Sequence, residues 1–107
     1  MDLKEWITKP MPFENCAAHT FSLVSVQKNA PASSGVYGLS NAQEWILVGE
    51  TDNIKATLLE HLRGTHTVPL ERVPTGFTFE LRAFYERVAR QDRLILELQP
   101  VHKRRGR

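Results

Sequence analysis

The sequence contains one cysteine, Cys16, among 107 residues. A lone cysteine cannot form a disulfide within its own chain, which excludes a disulfide-stabilised secreted scaffold. No apolar run approaches the roughly 20 residues that a membrane-spanning helix needs. Residues 1–12 also lack the basic start and continuous apolar segment of a signal peptide. We therefore expect a cytoplasmic protein that makes no contact with a membrane.

Most of the chain carries little net charge. The formal net charge is +2, but without the basic residues Lys103, Arg104, Arg105 and Arg107 it would be −2. Residues 1–54 carry 3 Lys and Arg against 6 Asp and Glu, whereas residues 55–107 carry 11 against 6. Because basic tails bind phosphate groups without sequence preference, this asymmetry favours a weak, salt-dependent contact with nucleic acid.

The length and composition indicate one globular domain. Compact domains cluster at roughly 100–150 residues, and 41% apolar with 24% charged residues is ordinary for a soluble domain. We divide the chain into an N-terminal extension packed on the domain (1–31), the domain itself (32–102) and a basic tail (103–107).

Alternation of apolar residues predicts three clear strands. Residues 35–40 and 44–50 are short apolar runs separated by Asn41, Ala42 and Gln43, which suits an antiparallel hairpin. Residues 76–81 alternate, with Phe77 and Phe79 on one face and Glu80 on a solvent-facing side. Residues 20–26 also alternate well enough to predict a strand.

Two helices follow from the spacing of apolar residues. The first should begin after an N-cap at Thr51 or Asp52, place Ile54 and Leu58 on one face, and end at Gly64. The second should cover residues 83–98 and stop before Pro100. Its predicted apolar stripe contains Phe84, Val88, Ile95 and Leu98, with the polar Gln91 at its centre. The predicted fold is α+β, with a small antiparallel three-stranded sheet flanked by helices.

Four short motifs follow one another within residues 32–102: Gly35-Val36-Tyr37, Leu47-Val48-Gly49, Thr51-Asp52-Asn53-Ile54, and Leu94-Ile95 with Pro100. Their content and order resemble the GIY-YIG nuclease domain. That family has a Gly-Ile-Tyr strand, a Tyr-Ile-Gly strand, a helix that opens with a Thr-x-Asn-Ile-like motif, and a closing helix that ends in a proline.

The resemblance implies metal-dependent cleavage of phosphodiesters, but several functional positions carry other residues. The first tyrosine falls on Tyr37 and is present, whereas the second falls on Leu47. The arginine that stabilises phosphate falls on Thr57, and the metal-binding glutamate falls on Gln91. His61 matches a histidine or tyrosine that some members place near the site. These five residues would form a remnant pocket with no catalytic residue and no metal, in a degenerate member of the family.

Three of these residues, Gln91, Tyr37 and His61, also have a purely structural interpretation. Gln91 could be a relic of the active site or a core amide bonded to a backbone carbonyl. Tyr37 could line a pocket or simply pack, and His61 suits the end of a helix through the helix dipole. Cys16 is most simply a small buried side chain.

Arginines of the second half could form a nucleic-acid-binding surface, or they could be a solvated face balanced by Glu86, Asp92 and Glu97. The tentative contacts are Arg63, Arg87, Arg90, Lys103, Arg104 and Arg105.

Three functions remain, in order of preference. The first is an inactive GIY-YIG-like domain that binds nucleic acid or another phosphate-bearing partner without a cofactor. The second is a protein-interaction module that reuses the fold. The third is an endonuclease using a divalent metal such as Mg²⁺ and rearranged residues, with Asp92 or Glu60 replacing the missing carboxylate.

Overall fold

The computed structural model describes residues 13, 18–64 and 72–102. Predictions for Cys16 and for the basic tail lie outside these residues. None of the described helices is long and apolar enough to cross a membrane. The elements, in chain order, are β1 (His19–Thr20), α1 (Leu23–Asn29), β2 (Gly35–Ser40), β3 (Trp45–Thr51), α2 (Ile54–Arg63), β4 (Gly76–Leu81) and α3 (Arg87–Leu98).

The predicted hairpin is present as β2 and β3, which pair antiparallel. Tyr37 lies opposite Gly49, and the register shifts after Leu39, where the hairpin approaches its turn. The Asn41 side chain closes this turn, because its Oδ1 accepts hydrogen bonds from the backbone N–H groups of Gln43 at 2.8 Å and Glu44 at 2.9 Å.

The sheet has four strands in the order β1-β4-β2-β3, one more than predicted. The additional strand is short, and it pairs His19 with Phe77. The prediction of a strand over residues 20–26 is wrong beyond Thr20. Ser22 ends the extended segment, because its hydroxyl accepts from the Ser25 N–H and caps α1. Alternation alone did not reveal this cap.

The N-cap of helix α2 lies one or two residues after the predicted positions, Thr51 and Asp52. Asn53 is the N-cap, and its side chain accepts from the Ala56 N–H at 2.9 Å. Gly64 ends the helix at φ 74, the left-handed conformation that favours glycine, as predicted.

Helix α3 begins at Arg87, and the predicted stripe along it is partly wrong. Phe84 precedes the helix and Val88 faces solvent, with exposures of 72% and 56%. The buried positions are Gln91 and Leu94. Because Phe84 lies before the first turn, it is not part of the helical face that Gln91 and Leu94 bury.

Two apolar clusters cover the two faces of the sheet. One contains Tyr37, Leu39 and Leu47 from the sheet together with residues of α1 and α2. The other contains Val36 and Val48, on the alternate positions of the same strands, together with Leu94 of α3 and Phe13. The sheet is therefore a central layer with α1 and α2 on one side and α3 on the other. Strand β4 is covered on both faces rather than half exposed, since Phe77, Thr78 and Glu80 are all buried.

Candidate functional site

A tyrosine and a histidine meet on the α2 side of the sheet. The Tyr37 hydroxyl lies 3.1 Å from His61 Nε2, and the tautomer of the imidazole decides which group donates. Tyr37 is 3% exposed, while His61 is half-buried on the third turn of α2. Burial and this hydrogen bond hold the phenol in one position beside an imidazole, which is the commonest proton carrier near neutral pH.

A glycine makes room for this contact. The Tyr37 ring crosses over its cross-strand neighbour Gly49, so that a Cβ built on Gly49 would lie 2.6 Å from the Tyr37 hydroxyl. No real Cβ approaches so closely without movement of the ring. The tyrosine and the glycine of the two strand motifs are thus sterically matched, which the sequence motif alone does not state.

The position expected for a phosphate-binding arginine is an uncharged threonine. Thr57 lies one turn before His61, and its hydroxyl is 2.7 Å from the hydroxyl of Thr51 at the end of β3. This hydrogen bond fastens α2 to the sheet. Leu47, at the position of the second tyrosine, is buried in the same cluster as Tyr37.

Gln91 approaches from the opposite side of the sheet. It lies one turn before Leu94 on α3, whose cluster faces away from Tyr37. Its Nε2 donates to Asp92 Oδ1 at 3.3 Å, whereas its Oε1 is buried without a hydrogen-bond partner. The structure therefore brings Tyr37 and His61 together, with Thr57 and Leu47 on the same side, and sets Gln91 apart on another layer.

Two carboxylates of the sheet form ion pairs with two arginines of α3. Glu80 is 3% exposed and accepts from Arg90 Nε at 2.7 Å and from Arg90 Nη2 at 3.2 Å. Arg82 approaches the same carboxylate at 3.2 Å. Glu50 accepts from Arg87 Nε at 2.8 Å. Glu80 was expected to face solvent; instead it is buried beneath its ion pairs with Arg82 and with Arg90 of α3.

These ion pairs bear directly on the predicted nucleic-acid contacts. Arg87 and Arg90 are ion-paired to the sheet, with side chains only 18% and 22% exposed. Arg63 is exposed on the last turn of α2. Lys103, Arg104 and Arg105 lie outside the described residues.

A hard divalent cation needs oxygen ligands, carboxylates above all. Within residues 13, 18–64 and 72–102, no three His, Cys, Asp or Glu side chains cluster closely enough to hold a metal ion. Asp92 is exposed beside Gln91, and Glu60 is exposed on α2. A single amide oxygen such as Gln91 Oε1 is a weak ligand for a hard cation that prefers carboxylates. At the position where the resemblance implies the metal-binding glutamate, the described residues thus offer an amide and an exposed neighbouring carboxylate, Asp92.

Comparison with solved structures finds a fold similar to that of this chain. The GIY-YIG N-terminal endonuclease domain of UvrC from Thermotoga maritima, as an Asn→Ala point mutant bound to its catalytic divalent cation, is 18% identical with a TM-score of 0.58. The match covers 75% of this chain and 96% of that domain. The magnesium-bound form of the same domain is 17% identical with a TM-score of 0.57, covering 74% and 96%.

Sequence comparisons add nothing to this likeness, because no protein-family model matches the chain and no curated protein matches it significantly. At this level of identity the structural likeness concerns the arrangement of the chain rather than its activity. The shared features are the antiparallel sheet and the helices that flank it. The chain therefore has a GIY-YIG-like α+β fold.

Proposed function

We propose that this chain is a catalytically inactive GIY-YIG-like domain that binds nucleic acid. The observation that carries the proposal is Gln91, a neutral amide at the position that the sequence resemblance assigns to the metal-binding glutamate. Its oxygen is buried and unpartnered, and its nitrogen is engaged with Asp92. An amide in place of a carboxylate removes the negative charge that anchors a divalent cation.

The other substitutions point in the same direction. Stabilisation of a developing phosphate charge is usually worth about 100-fold or more in rate. Thr57, at the arginine position, carries no charge and is bonded to Thr51. Leu47 has no hydroxyl with which to orient a water molecule. The retained pair, Tyr37 and His61, can position a proton, but neither side chain is a carboxylate that anchors a metal ion or a guanidinium that binds a phosphate.

Binding of nucleic acid rests on charge rather than on a catalytic group. Residues 55–107 carry 11 Lys and Arg against 6 Asp and Glu. Since Arg87 and Arg90 are ion-paired to Glu50 and Glu80, we assign them a supporting role. We assign the main phosphate contacts to Arg63 and to the basic tail, in a protein that we expect to be cytoplasmic.

Two measurements test the proposal together. Plasmid and branched DNA are incubated with the protein and Mg²⁺ or Mn²⁺, and DNA binding is measured at 50 and 200 mM salt. We expect no nicking, together with binding that weakens steeply as salt rises. Nicking that disappears in Gln91→Ala or Asp92→Ala would establish the rearranged endonuclease instead. Binding that ignores salt would refute the phosphate contacts.

A gain-of-function variant sharpens the first measurement. Gln91→Glu restores the carboxylate, and isothermal titration calorimetry with Mn²⁺ reports whether it holds a metal. We expect heat of binding in Gln91→Glu and none in the parent protein, with Gln99→Glu, an exposed position beyond the same helix, as the matched control. Equal binding by the parent would contradict the inactive assignment.

One observation favours the protein-interaction module as second candidate. Phe84, Tyr85 and Val88 stand exposed around the start of α3, at 72%, 76% and 56%. Adjacent exposed apolar side chains commonly mark a binding surface. Sedimentation of the purified protein distinguishes this candidate, because self-association that Phe84→Ala abolishes would place a protein partner there.

A further inference from the structure

Two aromatic side chains project from the turn between β4 and α3. Phe84 is 72% exposed and Tyr85 is 76% exposed. Their ring centroids are 5.8 Å apart and the rings are nearly perpendicular, at 84°. Neither residue belongs to the two apolar clusters of the described residues, so the packing of the core does not account for these rings.

An arginine-lined groove occupies the same part of the surface. Its volume is about 310 Å³, and Arg82, Arg90 and Arg93 line it together with Glu86 and Ala89. Arg82 and Glu86 flank the two aromatic residues in the chain, so the groove and the rings adjoin. We call Arg82, Phe84, Tyr85, Arg90 and Arg93 the aromatic–arginine surface.

Three arginines and one carboxylate, Glu86, line the groove, and its other charges differ in how firmly they are paired. Glu80 lies beneath and binds both Arg82 and Arg90, so one buried carboxylate fixes two guanidinium groups in place. Arg93 pairs with Glu97, but the two side chains are 66% and 42% exposed. Such an exposed pair is weak and screened by salt, so Arg93 can exchange Glu97 for a stronger anionic partner.

We propose that the aromatic–arginine surface binds a single-stranded segment of nucleic acid. Unpaired bases would stack on Tyr85 and Phe84, while the backbone phosphates would contact the groove, with Arg93 as the exchangeable cation. A duplex hides the faces of its bases within its own stack, whereas a single strand presents them to aromatic side chains. This proposal rests on the proposed function, to which it adds a site and the class of nucleic acid.

Fluorescence anisotropy with a labelled 20-nucleotide oligothymidylate and a 20-base-pair duplex tests the proposal at 50 mM salt. The variants are Tyr85→Ala, Tyr85→Phe and Arg93→Ala. Leu96→Ala and Arg72→Ala are matched controls, because Leu96 is an exposed apolar residue of the same helix and Arg72 is an exposed arginine paired to a carboxylate elsewhere.

We expect the single strand to bind more tightly than the duplex. Tyr85→Ala should weaken single-strand binding by about tenfold, and Tyr85→Phe should leave it nearly unchanged, because stacking needs the ring and not the hydroxyl. Arg93→Ala should weaken binding and reduce its salt dependence. The two control variants should match the parent protein.

Other outcomes would overturn the proposal in distinguishable ways. Equal affinities of Tyr85→Ala and Leu96→Ala for the single strand, with salt-dependent binding intact, would remove this site and leave the proposed function standing. If the protein bound neither oligonucleotide, both this site and the proposed function would be refuted. Concentration-dependent dimerisation that Tyr85→Ala abolishes, with nucleic-acid binding unchanged, would assign the surface to a protein partner.

Discussion

The substitution Glu80→Gln tests how far a buried ion pair holds α3 on the sheet. Glu80 lies on β4, an inner strand, and its side chain is 2% exposed. It accepts two hydrogen bonds from Arg90 and faces Arg82 at 3.2 Å. Glutamine keeps the shape of the side chain but removes its charge and replaces one acceptor oxygen with a donor. Both guanidinium groups would then face a neutral amide.

The magnitude follows from burial. Breaking a fully buried ion pair by removing one partner costs about 3–5 kcal/mol. The arginine side chains here are 22% and 26% exposed, so water partly compensates their lost partner. We therefore expect a loss of about 2 kcal/mol in the free energy of unfolding. For a domain of this size that corresponds to a fall in Tm of roughly 8–16 °C.

Urea unfolding followed by tryptophan fluorescence measures this loss. Trp45 reports on the relevant cluster, because its ring stacks on buried Phe13 at a centroid distance of 5.5 Å. Glu97→Gln is the matched control, since Glu97 is 42% exposed in its pair with Arg93, and it should cost about 0.5 kcal/mol or less. If Glu80→Gln were no more costly than Glu97→Gln, the ion pair would not stabilise the fold and our reasoning would fail.

Three smaller substitutions test the α2 side of the sheet, each by the free energy of unfolding in urea. Asn53→Ala removes the cap of α2 and should cost about 1 kcal/mol, whereas Asn53→Asp, which keeps the acceptor, should cost much less; equal costs would contradict the capping role. Tyr37→Phe loses the hydrogen bond to His61 and should cost about 1 kcal/mol, and an unchanged value would show that this bond adds no net stability. Gly49→Ala forces the Tyr37 ring aside and should cost about 1–3 kcal/mol. The double variant Gly49→Ala/Tyr37→Leu should lose less free energy of unfolding than the two single variants summed. Strict additivity would argue against a clash between the new Cβ and the Tyr37 ring.

The regular elements were predictable because their signals are local. The hairpin followed from two apolar runs separated by a turn, and the end of α2 followed from Gly64. The strand predicted over residues 20–26 was wrong because Ser22 caps a helix within an alternating pattern. Alternation of apolar residues carries no information about helix capping. The face of α3 was misplaced because Phe84, apolar but outside the helix, was counted in its stripe.

The site was only partly predictable, since its contacts join distant segments. Motif spacing singled out Tyr37, His61 and Gln91 as site candidates, and Gln91 is buried on α3. The sequence could not show that Gln91 lies across the sheet from Tyr37. Nor could it show that Glu80 would bind Arg90, because a carboxylate in an alternating strand is ordinarily on the solvent side. Ion pairs between residues that are distant in the sequence produce no periodic pattern from which they could be predicted.

The stacking of Phe13 on Trp45 has a practical consequence for dissecting the chain. Phe13 is 1% exposed, and Gly38 lacks a Cβ where this ring and that of Trp45 pass over the strand. Val26, from α1, is also fully buried. A fragment limited to residues 32–102 would lack Phe13 and Val26. It would therefore lose a buried side chain from each of the two apolar clusters. Phe13 and α1 therefore contribute side chains to the apolar core, and studies of residues 32–102 should retain both.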